Sequence, residues 1–172
     1  MRQTLFFLLF LLCAFPNLQA QSPWDGVTIA DSYAGGDGTK DSPFLISNGA
    51  ELAKLAHDVN SEKDFSLGRY FRLTADIVMN EGVIATDLTT LQGGTAFPET
   101  PAIGAFASEE SYTAFQGVFD GDGHTISGIY MTSEQGTNYL ALFRVLEGAE
   151  VRNLGLRDMF SYAGAYLAGI AS

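Results

Sequence analysis

The sequence predicts a mainly β fold: a β-solenoid of short strands whose N-terminal end is capped by one α-helix. Three observations predict it. All 19 glycines fall within residues 21–172, about 12.5% of that segment against a typical usage of about 7%. They occur among many Phe, Tyr and Ile residues, a composition of turn-rich β structure. Apolar residues recur at a nearly constant spacing in the second half of the chain, and only one segment carries the period of an amphipathic helix.

The chain opens with a targeting segment. Met1 to Thr4 is a short positive start, Leu5 to Phe15 is an unbroken apolar run, and Pro16 to Ala20 leads to a small residue. This is the layout of a secretory signal peptide over residues 1–20, with cleavage after Ala20. Leu18 is larger than the A-x-A pattern prefers. The run is too short to span a bilayer, which takes about 20 apolar residues. A lipoprotein signal at Cys13 is the competing reading, but Leu12 stands where such signals place a small residue.

The remaining chain carries 8 basic and 20 acidic residues and no cysteine. Disulfide scaffolds, cysteine zinc sites and thiol nucleophiles are excluded on that count. The acidic balance excludes nucleic acid as a partner and disfavours anionic membrane surfaces.

Element by element, residues 21–68 form an N-terminal segment. Gly35-Gly36-Asp37-Gly38-Thr39 is a turn cluster, and Pro43-Phe44-Leu45-Ile46 reads as a short buried strand. Residues 49–60 are the helix. Leu52, Leu55, Ala56 and Val59 share one stripe, Asn48 is a good N-cap, and Glu51 stands at capping-box spacing. Glu51, Lys54, His57 and Asp58 fall off the stripe and predict a wet face. From residue 69 to 172 short strands take over, beginning with Tyr70-Phe71-Arg72-Leu73. Residues 80–100 predict a surface excursion. Residues 115–131 are two strands broken by a Gly-rich corner, and 139–156 are two more.

Internal repeats set the architecture. Ile126-x-x-Ile129-x-Met131 recurs as Val151-x-x-Leu154-x-Leu156, and Ile77, Ile103, Ile129 and Leu154 are spaced 26, 26 and 25 apart. Phe119 maps to Phe143, and Tyr139-Leu140-Ala141 recurs as Tyr166-Leu167-Ala168, shifted by 27. A period of about 25 predicts coils stacked about 4.8 Å apart, with inward ladders of apolar residues. Ile129 is then expected to lie between Ile103 and Leu154. The final coil stops after Gly169-Ile170-Ala171-Ser172, so the solenoid is expected to be incomplete there. Its edge would continue in the gene product, take a partner chain or self-associate.

The stretch Phe115-Gln-Gly-Val-Phe-Asp-Gly-Asp-Gly-His-Thr-Ile-Ser-Gly-Ile-Tyr-Met131, with Leu142-Phe143 and Val151-Arg-Asn-Leu-Gly-Leu156, resembles the GLUG-type repeats. The resemblance extends over about residues 24–172. It implies a right-handed parallel β-helix of the kind found in secreted and surface proteins of Gram-negative bacteria, and beside the protease domain of immunoglobulin A1-cleaving metalloproteases. It implies no catalytic residue. Two motifs depart from the pattern: Gly-Leu-Phe-Gly appears as Ala141-Leu-Phe-Arg144, and Gly-Gly-Ile-x-Gly as Ala168-Gly-Ile-Ala-Ser172.

Several clusters hold residues that could carry chemistry. Asp120, Asp122 and His124 alternate and could face Ca²⁺, but an EF-hand needs Asp or Asn where His124 stands and Glu where Met131 stands. Two Asp-Gly pairs read better as a tight turn. Gly35 to Asp41 partly matches a Ca²⁺-binding nonapeptide, but Lys40 occupies the Asp position; no Gly-Lys-Ser/Thr follows for a phosphate loop. His57 and His124 are the only histidines, and neither G-x-S-x-G nor H-E-x-x-H occurs. Glu109 and Glu110 are adjacent, so on a strand they point to opposite faces and make a poor glycosidase pair. Arg69, Arg72, Arg144, Arg152 and Arg157 could serve a solenoid lyase, but nothing in the sequence sets one against the Asp cluster.

The sequence therefore assigns no catalytic, cofactor or metal residue. It predicts an exported, non-enzymatic β-helix module of a bacterial surface or secreted protein, extracellular, at the cell surface or periplasmic, that presents loops or adheres to a glycan or protein ligand. Two alternatives are a carbohydrate-active β-helix enzyme and an accessory N-terminal piece of a larger surface protease.

Overall fold

A computed structural model describes residues 21–81, 99–108, 110–132, 139–162 and 166–171. The predicted signal peptide over residues 1–20 and most of the predicted 80–100 excursion lie outside the described residues. So do Glu109 and Ser172.

The described residues are mainly short strands with one helix. The strands are β1 (Phe44–Ile46), β2 (Tyr70–Leu73), β3 (Ile77–Val78), β4 (Ala105–Ser108), β5 (Ser111–Thr113), β6 (Val118–Asp120), β7 (Thr125–Ser127), β8 (Tyr130–Thr132), β9 (Tyr139–Leu140), β10 (Glu150–Arg152), β11 (Gly155–Arg157), β12 (Phe160–Tyr162) and β13 (Tyr166–Leu167). Helix α1 spans Gly49–Ser61.

Among the described residues, pairing is parallel in every sheet but one. The largest sheet runs β1-β2-β6-β10, a second runs β3-β7-β11, and two pairs follow, β8-β12 and β9-β13. The chain thus visits the same sheets in the same order: β6, β7, β8 and β9, then β10, β11, β12 and β13. One rung crosses the first sheet as Phe44, Phe71, Phe119 and Val151. Another crosses the second as Ile77, Ile126 and Leu156. Isolated bridges continue the stack through Ile103, Phe143 and Ala171. The exception is the antiparallel hairpin β4–β5, which interrupts the chain between Ile103 and Phe115.

The observed register corrects the period of about 25. Tyr139 pairs with Tyr166, as the tripeptide repeat predicted. The other series does not form a ladder. Ile77 pairs with Ile126, Ile103 bridges to Phe143, and Phe119 pairs with Val151 and not with Phe143. Ile129 is fully buried, but it does not stand between Ile103 and Leu154: the Phe160 N–H donates to its carbonyl at 2.8 Å. The cause is unequal corners. Four residues, 121–124, join β6 to β7, whereas two, 153–154, join β10 to β11. The offset between paired residues is therefore 32 for Phe119–Val151 before the corner and 30 for Ile126–Leu156 after it. It rises to 48 for Phe71–Phe119, because that circuit carries the hairpin and the 82–98 segment.

Aromatic rings fill the core. Phe71 lies 5.5 Å from Phe44 and 5.6 Å from Phe115, centroid to centroid, and Phe143 lies 5.2 Å from both Phe115 and Phe119. Leu52, Leu55, Ala56 and Val59 of α1 belong to the same buried cluster, with Ile46, Leu73 and Ile77. The helix starts as expected: Asn48 Oδ1 accepts the Glu51 N–H at 3.0 Å. Glu51 is a correction. It is buried, and its Oε2 accepts from the Ser47 N–H at 2.6 Å and from Ser47 Oγ at 3.0 Å, so capping draws it off the wet face. At the other end Asn60 ties the helix to the next circuit, donating to the Ala102 carbonyl at 2.9 Å and accepting the Gly104 N–H at 2.8 Å.

Corners depend on the left-handed region of backbone space. Gly128, between β7 and β8, has φ +71, and a Cβ there would lie 1.8 Å from the Asn80 carbonyl oxygen. Only glycine fits. Asn80 Nδ2 in turn donates to the Gly128 carbonyl at 2.9 Å.

Phe119→Ala is expected to lower unfolding free energy by about 3–5 kcal/mol, since the ring is fully buried between circuits. Denaturant melts of the variant and the parent check this.

Candidate functional site

The Asp-Gly-Asp-Gly-His stretch forms a corner, as the turn reading predicted. Gly121 to His124 is a tight turn: the His124 N–H donates to the Gly121 carbonyl at 2.8 Å, and Asp122 and Gly123 both have positive φ. These dihedrals suit a type I′ geometry. Asp120 Oδ1 accepts from the Asp122 N–H and from Asn153 Nδ2, each at 3.0 Å, and Oδ2 accepts from Arg152 Nε at 2.9 Å. Arg152 also reaches Glu150 at 2.9 Å. Burial pushes the Asp120 carboxyl upward, but the hydrogen bonds from Asn153, Asp122 and Arg152 outweigh it and hold the group below the usual carboxylate range. Asp120 is thus consumed by its neighbours on the next circuit.

The other singled-out residues disperse. His124 Nδ1 stands 3.3 Å from Asp76 Oδ1, which also accepts the Thr125 N–H at 2.9 Å. The Thr125 bond is the largest reason the Asp76 carboxyl lies low. His57 is exposed beside Asp58, far along the chain from that corner. Asp37 closes its own loop, accepting from the Thr39 N–H and hydroxyl. Arg69 lies over the Phe65 ring at 4.3 Å, Arg157 stands 3.8 Å from Asp158, and Arg72 is exposed. Arg144 is half-buried; desolvation lowers its pKa, opposed by the charge of Glu99. Of the five arginines only Arg152 meets the Asp120 carboxylate. Among the described residues no group of three or more His, Asp or Glu side chains could hold a metal ion.

A different region converges. The turn after α1, the β4–β5 hairpin and the corner before β10 enclose a cleft of about 250 Å³ lined by Lys63, Asp64, Glu110, Tyr112, Gln116 and Glu147. A second lobe of about 300 Å³ shares Tyr112 and Glu147 and adds Phe106, Val145 and Leu146. The fold positions these groups through backbone contacts. The Gln116 N–H donates to the buried Ser66 hydroxyl at 2.9 Å, and the Phe115 N–H donates to the Val145 carbonyl at 2.9 Å. The Glu147 N–H donates to the Phe115 carbonyl at 3.1 Å. Phe106 pairs with Tyr112 across the hairpin and packs edge-on against Tyr139, with centroids 5.4 Å apart. Tyr112 and Leu146 remain 41% and 37% exposed, so the apolar lobe faces solvent.

Sequence reasoning missed this cleft. Tyr112 and Gln116 lie about thirty residues from Glu147 and fifty from Lys63, and only the register joins them. Of the adjacent pair Glu109 and Glu110, only Glu110 lies among the described residues, in the cleft lining.

No family model matches the chain, and no solved structure matches it. It is similar to a protein of Evansella cellulosilytica that bears the name Gly-rich membrane protein, with 34% identity over 142 residues, covering 79% of this chain and 14% of that protein. It is also similar to halomucin of Haloquadratum walsbyi, with 32% identity over 127 residues, covering 74% of this chain and 1% of that protein. The chain therefore spans a small part of the length of both relatives. Among the described residues no helix is long and apolar enough to cross a membrane.

Two outcomes are expected. Asp120→Ala leaves Arg152 Nε, Asn153 Nδ2 and the Asp122 N–H without their Asp120 acceptor, and should cost about 1–2 kcal/mol in denaturant melts at pH 7. Because the Asp120 carboxyl is depressed in the folded state, its contribution is present above the unfolded carboxylate pKa of about 3.9 and is lost as pH falls through the lower folded value. The stability gap between parent and variant should therefore close on acidification below about pH 4. EDTA should leave the melting temperature unchanged; a loss on chelation that Ca²⁺ restores would make the corner a metal site.

Proposed function

We propose that this chain is an exported, non-enzymatic module that displays loops at the cell surface, built as a right-handed parallel β-helix of the GLUG type with α1 capping its N-terminal end. The observation that carries the reading is the repeated order of parallel sheets, with circuit returning to circuit in register. A stack of this kind is stiff and one-dimensional, and insertions leave it as surface loops without disturbing the ladders. The β4–β5 hairpin is such an insertion. The signal-peptide layout of the sequence over residues 1–20 supports export. The names of the two relatives, a membrane protein and a mucin-like name, support a surface or membrane-associated setting. The packing of the α1 apolar stripe into the shared core supports the cap, since an uncovered coil end exposes strand-edge and apolar groups.

Protease treatment of intact producing cells, followed by N-terminal sequencing of the untreated protein, tests this. The expected result is a chain that begins at Gln21 and is cleaved from outside the cell. Retention of Met1 with full protection from protease would contradict it.

A further inference from the structure

Cleavage after Ala20, where the signal-peptide layout places it, leaves Gln21 as the first residue of the exported chain. Gln21 lies against the folded body. Its Nε2 donates to the Ser47 carbonyl, one residue before the Asn48 N-cap of α1. Three residues on, the Trp24 N–H donates to the Val78 carbonyl at 2.9 Å, and the Trp24 side chain packs against the core. Ser22 and Pro23, between these two anchors, are exposed. The Gln21 carboxamide is only half satisfied in this position. Its Oε1 is buried and has no hydrogen-bond partner among the described residues. An orphaned buried acceptor costs more than one ordinary hydrogen bond returns, so the bond to Ser47 is a weak hold on this side chain.

We propose that Gln21 of the exported chain is a modification site, closing on its own α-amine to form pyroglutamate. The α-nitrogen attacks Cδ of the side-chain amide. The bond from the α-nitrogen to Cδ forms, the bond from Cδ to Nε2 breaks, and Nε2 leaves as ammonia with a proton from the amine. The product is a neutral five-membered lactam, and no oxidant, reductant or second reactant enters. An α-amino group titrates near neutrality, so part of it is the uncharged nucleophile at pH 7. Glutamine has the chain length for this ring, whereas asparagine would have to close a four-membered one. The fold does not hold the side chain back: closure gives up one bond to Ser47 and draws Oε1 from a buried place without a donor. The exposed Ser22 and Pro23 leave the terminus open to an enzyme that speeds the step. A lactam offers aminopeptidases no free amine, which suits a chain displayed outside the cell. The proposal rests on the surface-display reading for the cleavage that frees Gln21.

Mass spectrometry of the N-terminal tryptic peptide, Gln21 to Lys40, from the exported full-length gene product tests it. The peptide should be lighter than the open form by one ammonia and should resist amine labelling. Closed peptide should exceed open peptide at least tenfold. Pyroglutamyl aminopeptidase should then expose a labelable amine on Ser22. A synthetic open peptide of the same sequence, carried through the same digestion, should stay open. The variant Gln21→Asn should be cut at the same bond and keep a free, labelable amine. An open Gln21 with a free amine in the exported protein would overturn the proposal and leave cleavage and surface display standing. A peptide that retains residues before Gln21 would remove the cleavage, and the proposal with it. Equal closure of the synthetic peptide would make the ring a product of handling. A terminus blocked in Gln21→Asn as well would mean acylation in place of ring closure. Either of these last two results would also overturn the proposal.

Discussion

Everything in this structure depends on parallel pairing between segments about thirty residues apart. A parallel ladder cannot be closed by a tight hairpin, so each strand must wait for the chain to complete a circuit before its backbone groups find partners. Phe119 meets Val151, Ile126 meets Leu156, and Tyr139 meets Tyr166, all in the same sense. No pair of these strands is stable alone. What holds them is the fill between circuits: five phenylalanines, Phe44, Phe71, Phe115, Phe119 and Phe143, in a chain of ring contacts, with Ile77, Ile126 and Ile129 fully buried around them. Each ring removes apolar surface from water on two circuits at once, so packing and register reinforce one another.

Corners absorb the irregularities that such a stack must tolerate. Corner length varies between circuits, and the difference of two residues between 121–124 and 153–154 is taken up by the Asp122–Gly123 turn. Asp120 then closes the gap it creates, through Asn153 and Arg152 on the following circuit. The charged cluster that most resembles a site is in this way a device for joining two corners of unequal length. The longest irregularity lies between β3 and β6. The extra residues there build the hairpin, and the cleft exists because the hairpin stands out from the 145–147 corner and the turn after α1.

Much of the fold was legible, for identifiable reasons. Helix α1 was legible because its stripe, N-cap and boundary are all local. The strand composition and the Tyr139–Tyr166 repeat were legible because those residues recur in kind as well as in place. The register was not. Inward positions of nearly every strand are Ile, Leu, Val or Phe, so several subsets of apolar residues show a near-constant spacing, and the 26-26-25 series was one that the unequal corners do not support. Glu51 was misassigned because a capping carboxylate turns toward backbone N–H groups and leaves solvent. The cleft was illegible because its members come from four separate segments, and nothing about Tyr112 or Gln116 alone announces a neighbour at Glu147.

The most direct test of this account is the register across the β6–β10 rung. In a Cys13→Ser background, the pair Asp120→Cys/Arg152→Cys places two thiols on facing rungs of adjacent parallel strands. The pair Ser127→Cys/Arg152→Cys places them at the 25-residue offset that the apolar series suggested. Mild oxidation followed by mass spectrometry of the folded protein should show the cross-link in the first variant and free thiols in the second. A cross-link in the second variant with free thiols in the first would contradict the ladder assignment and, with it, the core and the cleft that depend on it.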